Sequence, residues 1–199
     1  MSQFIRNLSP LFVACCFPVL LVAQTPAKPG VTKTASASAK TVRSMSKDSQ
    51  IKSALAAAPA HIAKSAKVMS MDESGKMIEL RNGSNGWTCM PDQPNTPGQD
   101  PMCLDEEGMK WVGSLMAHAA KPANMAPGMI YMLAGGSDIS ATDPWATKTD
   151  HFVSSPPHWM LLWPVDGTKS GLATTPKKTG TWIMWAGTPY AHLMINQKP

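Results

Sequence analysis

Two tripeptides of one form, His158-x-Met160 and His192-x-Met194, each carry an imidazole two residues before a thioether. Residues two apart in a β-strand project from the same face of the sheet, so each tripeptide would present its two side chains together. Imidazole binds copper in either oxidation state, and thioether favours the reduced one. These four residues are therefore the candidate metal ligands, and copper is the candidate cofactor.

The competing interpretation of the tripeptides is plain packing. The chain has 15 methionines, so the pattern arises easily by chance, and methionine in a sheet is commonly an adaptable core residue. The predicted strand around His192 favours a site, because Tyr190, His192 and Met194 share one face and apolar residues occupy the other. The sequence alone is therefore compatible with both metal binding and packing as the role of these four residues.

A second constellation could be catalytic. His192 could act as a base beside Tyr190, with a carboxylate such as Asp105 orienting the imidazole, in a hydrolase-like arrangement. The sequence contains no nucleophile elbow, metalloprotease motif, P-loop, dinucleotide fingerprint or cysteine-rich zinc pattern. We therefore favour a noncatalytic protein and keep the hydrolase as the alternative.

Cys89 and Cys103 are the cysteines that remain after the predicted export signal described below, and a disulfide between them is the simplest interpretation. An oxidising compartment favours that bond over a thiolate metal pair or a reactive cysteine, which stay as alternatives. Trp87 lies in the same stretch and, with Tyr190, is a candidate wall of a ligand pocket. Structurally, the same stretch could instead cover an edge of the sheet.

The chain begins with the features of an export signal. Arg6 precedes an apolar run from Leu8 to Ala23, so residues 1–24 are predicted to be a signal peptide. Residues 25–48 are rich in Ala, Ser, Thr, Pro and Lys, and we expect a disordered basic tether. Residues 49–199 then form a single domain, and the protein is periplasmic or extracellular.

Charge is distributed unevenly along the chain. Residues 25–67 carry a net charge of +7, whereas residues 68–199 carry −3, so the overall value of +5 does not describe a basic binding surface. We expect no nucleic-acid partner, and a weak contact of residues 25–67 with anionic lipid or the cell envelope is an open alternative to a merely soluble linker.

The elements that must position the candidate residues belong to an α+β fold. Residues 49–64 predict two short helices that meet at Pro59, and a third helix is predicted with Asp105, Glu106 and Glu107 in its first turn. Apolar or alternating runs predict strands at 67–71, 77–81, 129–133, 158–163, 181–185 and 190–195, with residues 82–102 as a long loop. We expect one domain with a mostly antiparallel sheet and its helices packed on one side.

Six motifs distributed over this domain resemble those of a family of uncharacterised exported bacterial proteins. They are NGWTCMPD at 85–92, DPMCLDE at 100–106, YML at 131–133, TDPWAT at 142–147, PHWM at 157–160 and IMWAGTPYAHLM at 183–194. The family has Gly where this chain has Pro156. The resemblance implies export and an intact fold, and it carries no established activity.

Taken together, the residues predict a noncatalytic small-ligand or copper-binding protein. The alternatives are a hydrolase-like enzyme that uses His192 with an acidic partner, and a structural or interaction module of the cell envelope.

Overall fold

A computed structural model of the chain describes residues 45–72, 74–92, 96–167 and 169–197. The predicted signal peptide and almost all of the predicted tether lie outside these residues. Both assignments therefore stay predictions. Within the described ranges, no helix is long and apolar enough to cross a membrane.

Three helices occur in the described part of the chain: α1 (Lys47–Leu55), α2 (Ala60–Ala63) and α3 (Glu106–Met116). Ser46 caps α1, because its side chain accepts a hydrogen bond from the Ser49 N–H. The first helix thus begins two residues before the predicted start of the domain. Pro59 is the N-cap of α2, which confirms the predicted break between the first two helices.

The strands form a large sheet and a two-stranded ribbon. In chain order they are β1 (Lys67–Met71), β2 (Met77–Arg81), β3 (Thr88–Met90), β4 (Met102–Leu104), β5 (Gly128–Met132), β6 (Gly136–Asp138), β7 (Val153–Ser155), β8 (His158–Leu162), β9 (Gly180–Met184) and β10 (His192–Asn196). The large sheet has the order β2-β1-β3-β4-β5-β8-β10-β9, and β6 pairs with β7. Strands β1 and β3 run parallel, and the other neighbours in the large sheet run antiparallel. The α+β class and the single domain are confirmed, with a sheet that is mixed.

The prediction of one long loop over residues 82–102 is wrong. Strand β3 lies within that segment and pairs with both β1 and β4. Cys89 and Cys103 face each other across β3 and β4 and form the predicted disulfide. The disulfide therefore joins two strands in the interior of the sheet, where a loop was expected.

Two hydrophobic clusters lie against the sheet. The first, the disulfide-side cluster, joins α1 and α2 to Val68 and to the two cysteines. The second, the cavity-side cluster, joins Trp111 of α3 to Leu104 and to the later strands. Because Cys103 and Leu104 are successive residues of β4, their side chains point to opposite faces. Helices α1 and α3 thus belong to clusters on opposite faces, and the expected packing of the helices on one side is not confirmed.

The start of α3 is held tightly on β5. The Asp105 carboxylate accepts hydrogen bonds from the backbone N–H of Gly108 at 2.7 Å and from that of Met129 at 3.0 Å. A Cβ atom at Gly128 would lie 2.7 Å from the Gly108 backbone nitrogen, so the helix approaches the strand only because residue 128 has no side chain. This contact fixes α3 over the cavity-side face of the sheet.

Candidate functional site

A cavity of about 200 Å³ lies on the cavity-side face of the large sheet. Its floor comes from β5, β8, β9 and β10, α3 lines one wall, and the β6–β7 ribbon lines part of the rim. Five methionines contribute to the lining: Met102, Met132, Met160, Met184 and Met194. Methionine is thus the most frequent residue of the cavity, and its thioethers give the lining a soft, polarizable character.

All four candidate metal ligands line this cavity. His158 and Met160 lie on β8, and His192 and Met194 lie on β10. The two strands pair antiparallel, with Met160 opposite Met194. The two imidazoles consequently extend from this central pair in opposite directions, one toward each end of the cavity.

The face of β10 that carries the imidazole is the buried face. His192 is 2% exposed, and Met194 is buried in the cavity-side cluster, whereas Leu193 and Ile195 are only half-buried. Alternation in the sequence separated the two faces of this strand correctly. The polarity of the side chains did not identify the more buried face, because the more buried face carries the histidine.

Both imidazoles have the same hydrogen-bonded orientation. Nδ1 of His158 lies 2.7 Å from the Pro156 carbonyl oxygen, and Nδ1 of His192 lies 3.0 Å from that of Tyr190. A carbonyl oxygen only accepts, so each Nδ1 carries the proton and donates it. Position 156 contributes only its backbone carbonyl to this contact. In each neutral ring, Nε2 is therefore unprotonated and has a lone pair available.

Burial keeps the two imidazoles uncharged at neutral pH. It lowers the pKa of His192 from the ordinary value of 6.5 to about 4, because a charged ring would lose its hydration in the core. Burial likewise lowers the pKa of His158. A neutral imidazole is the form that binds a metal ion or accepts a hydrogen bond.

One end of the cavity is acidic, which the sequence analysis missed. Asp100 and Asp138 line this end beside His158, and burial raises the pKa of both carboxyls. Asp100 accepts hydrogen bonds from the Ser137 backbone N–H and from the hydroxyls of Ser137 and Thr96. Sequence signals for this end are weak, because the aspartates lie in or beside loops where such residues are common for turn chemistry alone.

The acidic end converges closely around Gly136. From the position where a Cβ of residue 136 would stand, the Met132 methyl lies at 2.9 Å, the His158 Cε1 at 3.4 Å and the Asp100 Oδ1 at 3.5 Å. A thioether side chain, an imidazole and a carboxylate thus surround one glycine. The absence of a side chain there leaves space that these three groups share.

The opposite end of the cavity is aromatic. His192 meets the rings of Trp111 and Trp185 nearly at right angles, with centroids 5.3 and 5.0 Å away. The two indoles lie parallel to each other at 5.9 Å. Trp185 is held in place by its Nε1–H, which donates to the Ser140 carbonyl. Edge-to-face contacts of this kind fix the imidazole without charging it.

The candidate catalytic residues are not assembled around His192. Both carboxylate oxygens of Asp105 accept hydrogen bonds from backbone N–H groups at the start of α3 and in β5. The Tyr190 hydroxyl donates to the Ala119 carbonyl at 2.9 Å. Neither side chain lines the cavity. Tyr190 reaches His192 through its backbone carbonyl, and its ring packs edge-on against Trp111 at 5.3 Å.

Trp87 belongs to the other face of the sheet. Its ring lies 5.5 Å from that of Tyr131, and it packs against the disulfide-side cluster. It also lines a separate surface hollow with Lys67 and Thr88. The two candidate pocket residues, Trp87 and Tyr190, are thus not brought together, and neither contributes to the methionine-lined cavity.

Among the described residues, no group of three or more His, Cys, Asp or Glu side chains is placed to hold a metal ion. The thioethers of the cavity fall outside that set of residue types. Comparison of the chain with protein-family models, with curated protein sequences and with solved structures finds no match. The resemblance to an exported bacterial family stays a prediction that rests on the motifs.

Proposed function

We propose that this chain is a noncatalytic binding protein of the periplasm or cell exterior, whose ligand occupies the methionine-lined cavity. The observation that carries the proposal is the cavity itself. It combines a largely apolar lining with a few convergent polar groups at one end, which is the usual composition of a ligand site.

The volume limits the ligand to a small molecule or a metal ion. Engineered apolar cavities of about 150 Å³ admit benzene. A cavity of about 200 Å³ therefore suits a molecule of one or two rings or bound metal. The indole faces of Trp111 and Trp185 would contact the apolar part of a molecule, and Asp100 with Ser137 would meet a hydrogen-bond donor at the other end.

Two features support the proposed location. The disulfide between Cys89 and Cys103 is compatible with an oxidising compartment. Residues 1–24 have the pattern of an export signal. A basic tether would keep the domain near the envelope, with residues 25–67 in weak contact with anionic lipid.

The proposal is tested by ligand-induced stabilisation. The purified exported protein is screened by thermal unfolding against uncharged one- and two-ring aromatic molecules, with indole as the first probe, and against Cu(I) under nitrogen. A ligand that binds only the folded state raises the midpoint by mass action. We expect at least one of these probes to raise it in proportion to the logarithm of its concentration.

The matched variants are Val112→Phe and Met116→Phe. Val112 lines the cavity on α3, whereas Met116 lies at the end of the same helix with 59% of its surface exposed. A phenyl ring at 112 occupies cavity volume and should abolish or weaken stabilisation by the organic probe, and the same ring at 116 should not. The proposal is wrong if no organic probe and no Cu(I) stabilises the wild-type protein, or if an organic probe that stabilises the wild type stabilises both variants equally.

A further inference from the structure

The imidazoles and thioethers on the cavity floor occur in two matched sets. Met132 on β5 is the cross-strand partner of His158, and Met184 on β9 is the cross-strand partner of His192. Each histidine also has a methionine two residues later on the same face of its own strand, Met160 or Met194. Each set therefore contains one imidazole and two thioethers.

An approximate two-fold axis relates the two sets. It passes between Met160 and Met194, which are paired across antiparallel strands β8 and β10. Rotation about this axis exchanges the two H-x-M tripeptides and carries the outer strand β5 onto β9. The hydrogen bonds follow the same relation, because each Nδ1 donates to the carbonyl two residues before its histidine.

The strand register places the two histidines far apart along the sheet. His158 pairs with Asn196, which lies four residues after His192 on β10. At a rise of about 3.4 Å per residue and a strand spacing of about 4.8 Å, the two histidine Cα atoms lie about 14 Å apart. Each Nδ1 bonds to a carbonyl on the side away from the central Met160–Met194 pair, so the two rings lie toward opposite ends of the cavity. Each Nε2 is thus placed to meet its own ion at the usual distance of about 2 Å.

The free atoms of each set have the chemistry of a soft-metal site. In the described part of the chain, the hydrogen bonds of the two rings are made by Nδ1. Nε2 of neither histidine is among the fully enclosed polar atoms that lack a partner, so both nitrogens face the cavity that the rings line. A metal-binding histidine typically donates its other ring N–H to a carbonyl or carboxylate, as both Nδ1 atoms do here. Thioether sulfur selects the reduced copper ion over harder cations.

We infer that the cavity binds two Cu(I) ions, one at His158, Met132 and Met160 and the other at His192, Met184 and Met194. This inference rests on the proposed function and deepens it, since it names the ligand and the stoichiometry. Each ion enters as Cu(I) and leaves as Cu(I), so binding involves no change of oxidation state.

The two sites differ in their surroundings. The Asp100 carboxylate lies beside the His158 site and provides a counter-charge for a buried cation. Trp111 and Trp185 flank the His192 site, where an ion would be close to both indoles. Copper at the His192 site should therefore quench tryptophan fluorescence more strongly than copper at the His158 site.

The test is an anaerobic titration of the exported protein with Cu(I), in competition with a coloured Cu(I) chelator and with fluorescence recorded in parallel. We expect two equivalents of tightly bound Cu(I) for the wild type. Met132→Leu and Met184→Leu each remove one thioether from one site at nearly constant volume, so both variants should stay folded. Each should weaken one equivalent by about tenfold or more and leave the other intact.

Fluorescence then assigns the sites. Met184→Leu should lose most of the quenching, and Met132→Leu should retain it. Met69→Leu, on β1 outside the cavity, is the matched control and should bind as the wild type does. The double variant Met132→Leu/Met184→Leu should bind neither ion tightly.

Three results would overturn the inference. They are a wild type that binds one equivalent or none, a double variant that binds as the wild type does, and an equal loss in the Met69→Leu control. If Cu(I) fails to bind while indole or another aromatic probe still stabilises the protein, the copper inference falls and the proposed function stands. If neither copper nor any aromatic probe binds, both fall.

Discussion

The two imidazoles of the cavity are buried as neutral bases in the apolar interior of the domain. His192 lies among Trp111, Trp185 and Tyr190, and its one resolved hydrogen bond satisfies Nδ1. Burial of a neutral ring costs little free energy here, whereas burial of a charged ring would remove its hydration at a large cost in free energy. His192 Nε2 can therefore accept a hydrogen bond at every pH at which this ring stays uncharged.

Unfolding of the metal-free protein should depend on pH through His192. An unfolded histidine takes up its proton near pH 6.5, and folded His192 takes it up only near pH 4. Between these values the unfolded chain binds more protons, so the free energy of unfolding falls as the pH is lowered through this window, by about 1.4 kcal/mol per pH unit.

His192→Phe removes this titration and keeps an aromatic ring against the two indoles. From urea unfolding at pH 7.5 and pH 5.0, we expect the wild type to lose roughly 2 kcal/mol more than the variant on acidification. Titration of Asp100 and Asp138 is common to both proteins and cancels in the comparison. Charge repulsion from His158 is one of the causes that lower the pKa of His192, so it belongs to the difference that is measured. An equal pH dependence in the two proteins would contradict the assignment of a depressed pKa to His192.

At the scale of the element, α3 is positioned by its first turn. Asp105 bridges the helix and β5 with its two carboxylate oxygens, and Gly108 meets Gly128 at backbone distance. Trp111, one turn further on, is thereby aimed at His192. Asp105, a candidate catalytic residue by its sequence, thus has a structural role, because its carboxylate positions α3 on β5.

Asp105→Ala should lower the free energy of unfolding by about 2 kcal/mol, because the variant loses a helix cap and leaves the Met129 N–H without its acceptor. Asp105→Asn keeps one acceptor oxygen and should fall between the wild type and the alanine variant. Glu106→Ala, at an exposed position of the same turn, should change the free energy by less than about 0.5 kcal/mol. The measurement is urea unfolding, and an Asp105→Ala variant as stable as Glu106→Ala would exclude this role.

The elements that could be predicted from sequence are those with enough residues to show a period. The β1–β2 hairpin has five residues on each side of its turn, and its predicted boundaries match the structure. Strands β3, β4, β6 and β7 have three residues each, which is too few for alternation to be visible. Their positions depend on partners distant in sequence, such as the pairing of β3 with both β1 and β4.

That the two candidate residues of each tripeptide share one face was predictable from the sequence, and the walls of the cavity around them were not. The H-x-M spacing places imidazole and thioether on one face of a strand whatever the fold. The strand register places Met132 opposite His158 and Met184 opposite His192. Nothing in the local sequence links these methionines to the two histidines, so their proximity could not be predicted. Asp100 reaches the cavity through a loop, whose course the local pattern does not encode.

At the scale of the whole molecule, one disulfide ties the two parts of the sheet together. Strands β1, β2 and β3 with α1 form the disulfide-side end, and β4 leads into the strands that carry the cavity. Three residues of β3 pair with three of β4 at this junction, and Cys89 and Cys103 form the central pair. The covalent bond thus reinforces a short strand pairing between the two parts.

Replacement of both cysteines by alanine should lower the free energy of unfolding by about 3 kcal/mol, the value expected for a cross-link that closes a loop of this length. Urea unfolding measures the loss. Mass spectrometry of a nonreduced digest of the wild type should contain two peptides joined through Cys89 and Cys103. A double variant with unchanged stability, or a digest with both thiols free, would contradict the structural role of this bond.

The unequal exposure of the methionines has a consequence for oxidative damage. Met125 is 85% exposed and Met116 59%, whereas Met160, Met184 and Met194 are buried in the cavity. Peroxide converts accessible thioethers to sulfoxides first. The outer methionines should therefore be oxidised well before those of the cavity, and the later appearance of sulfoxide at Met194 would record how often the domain opens.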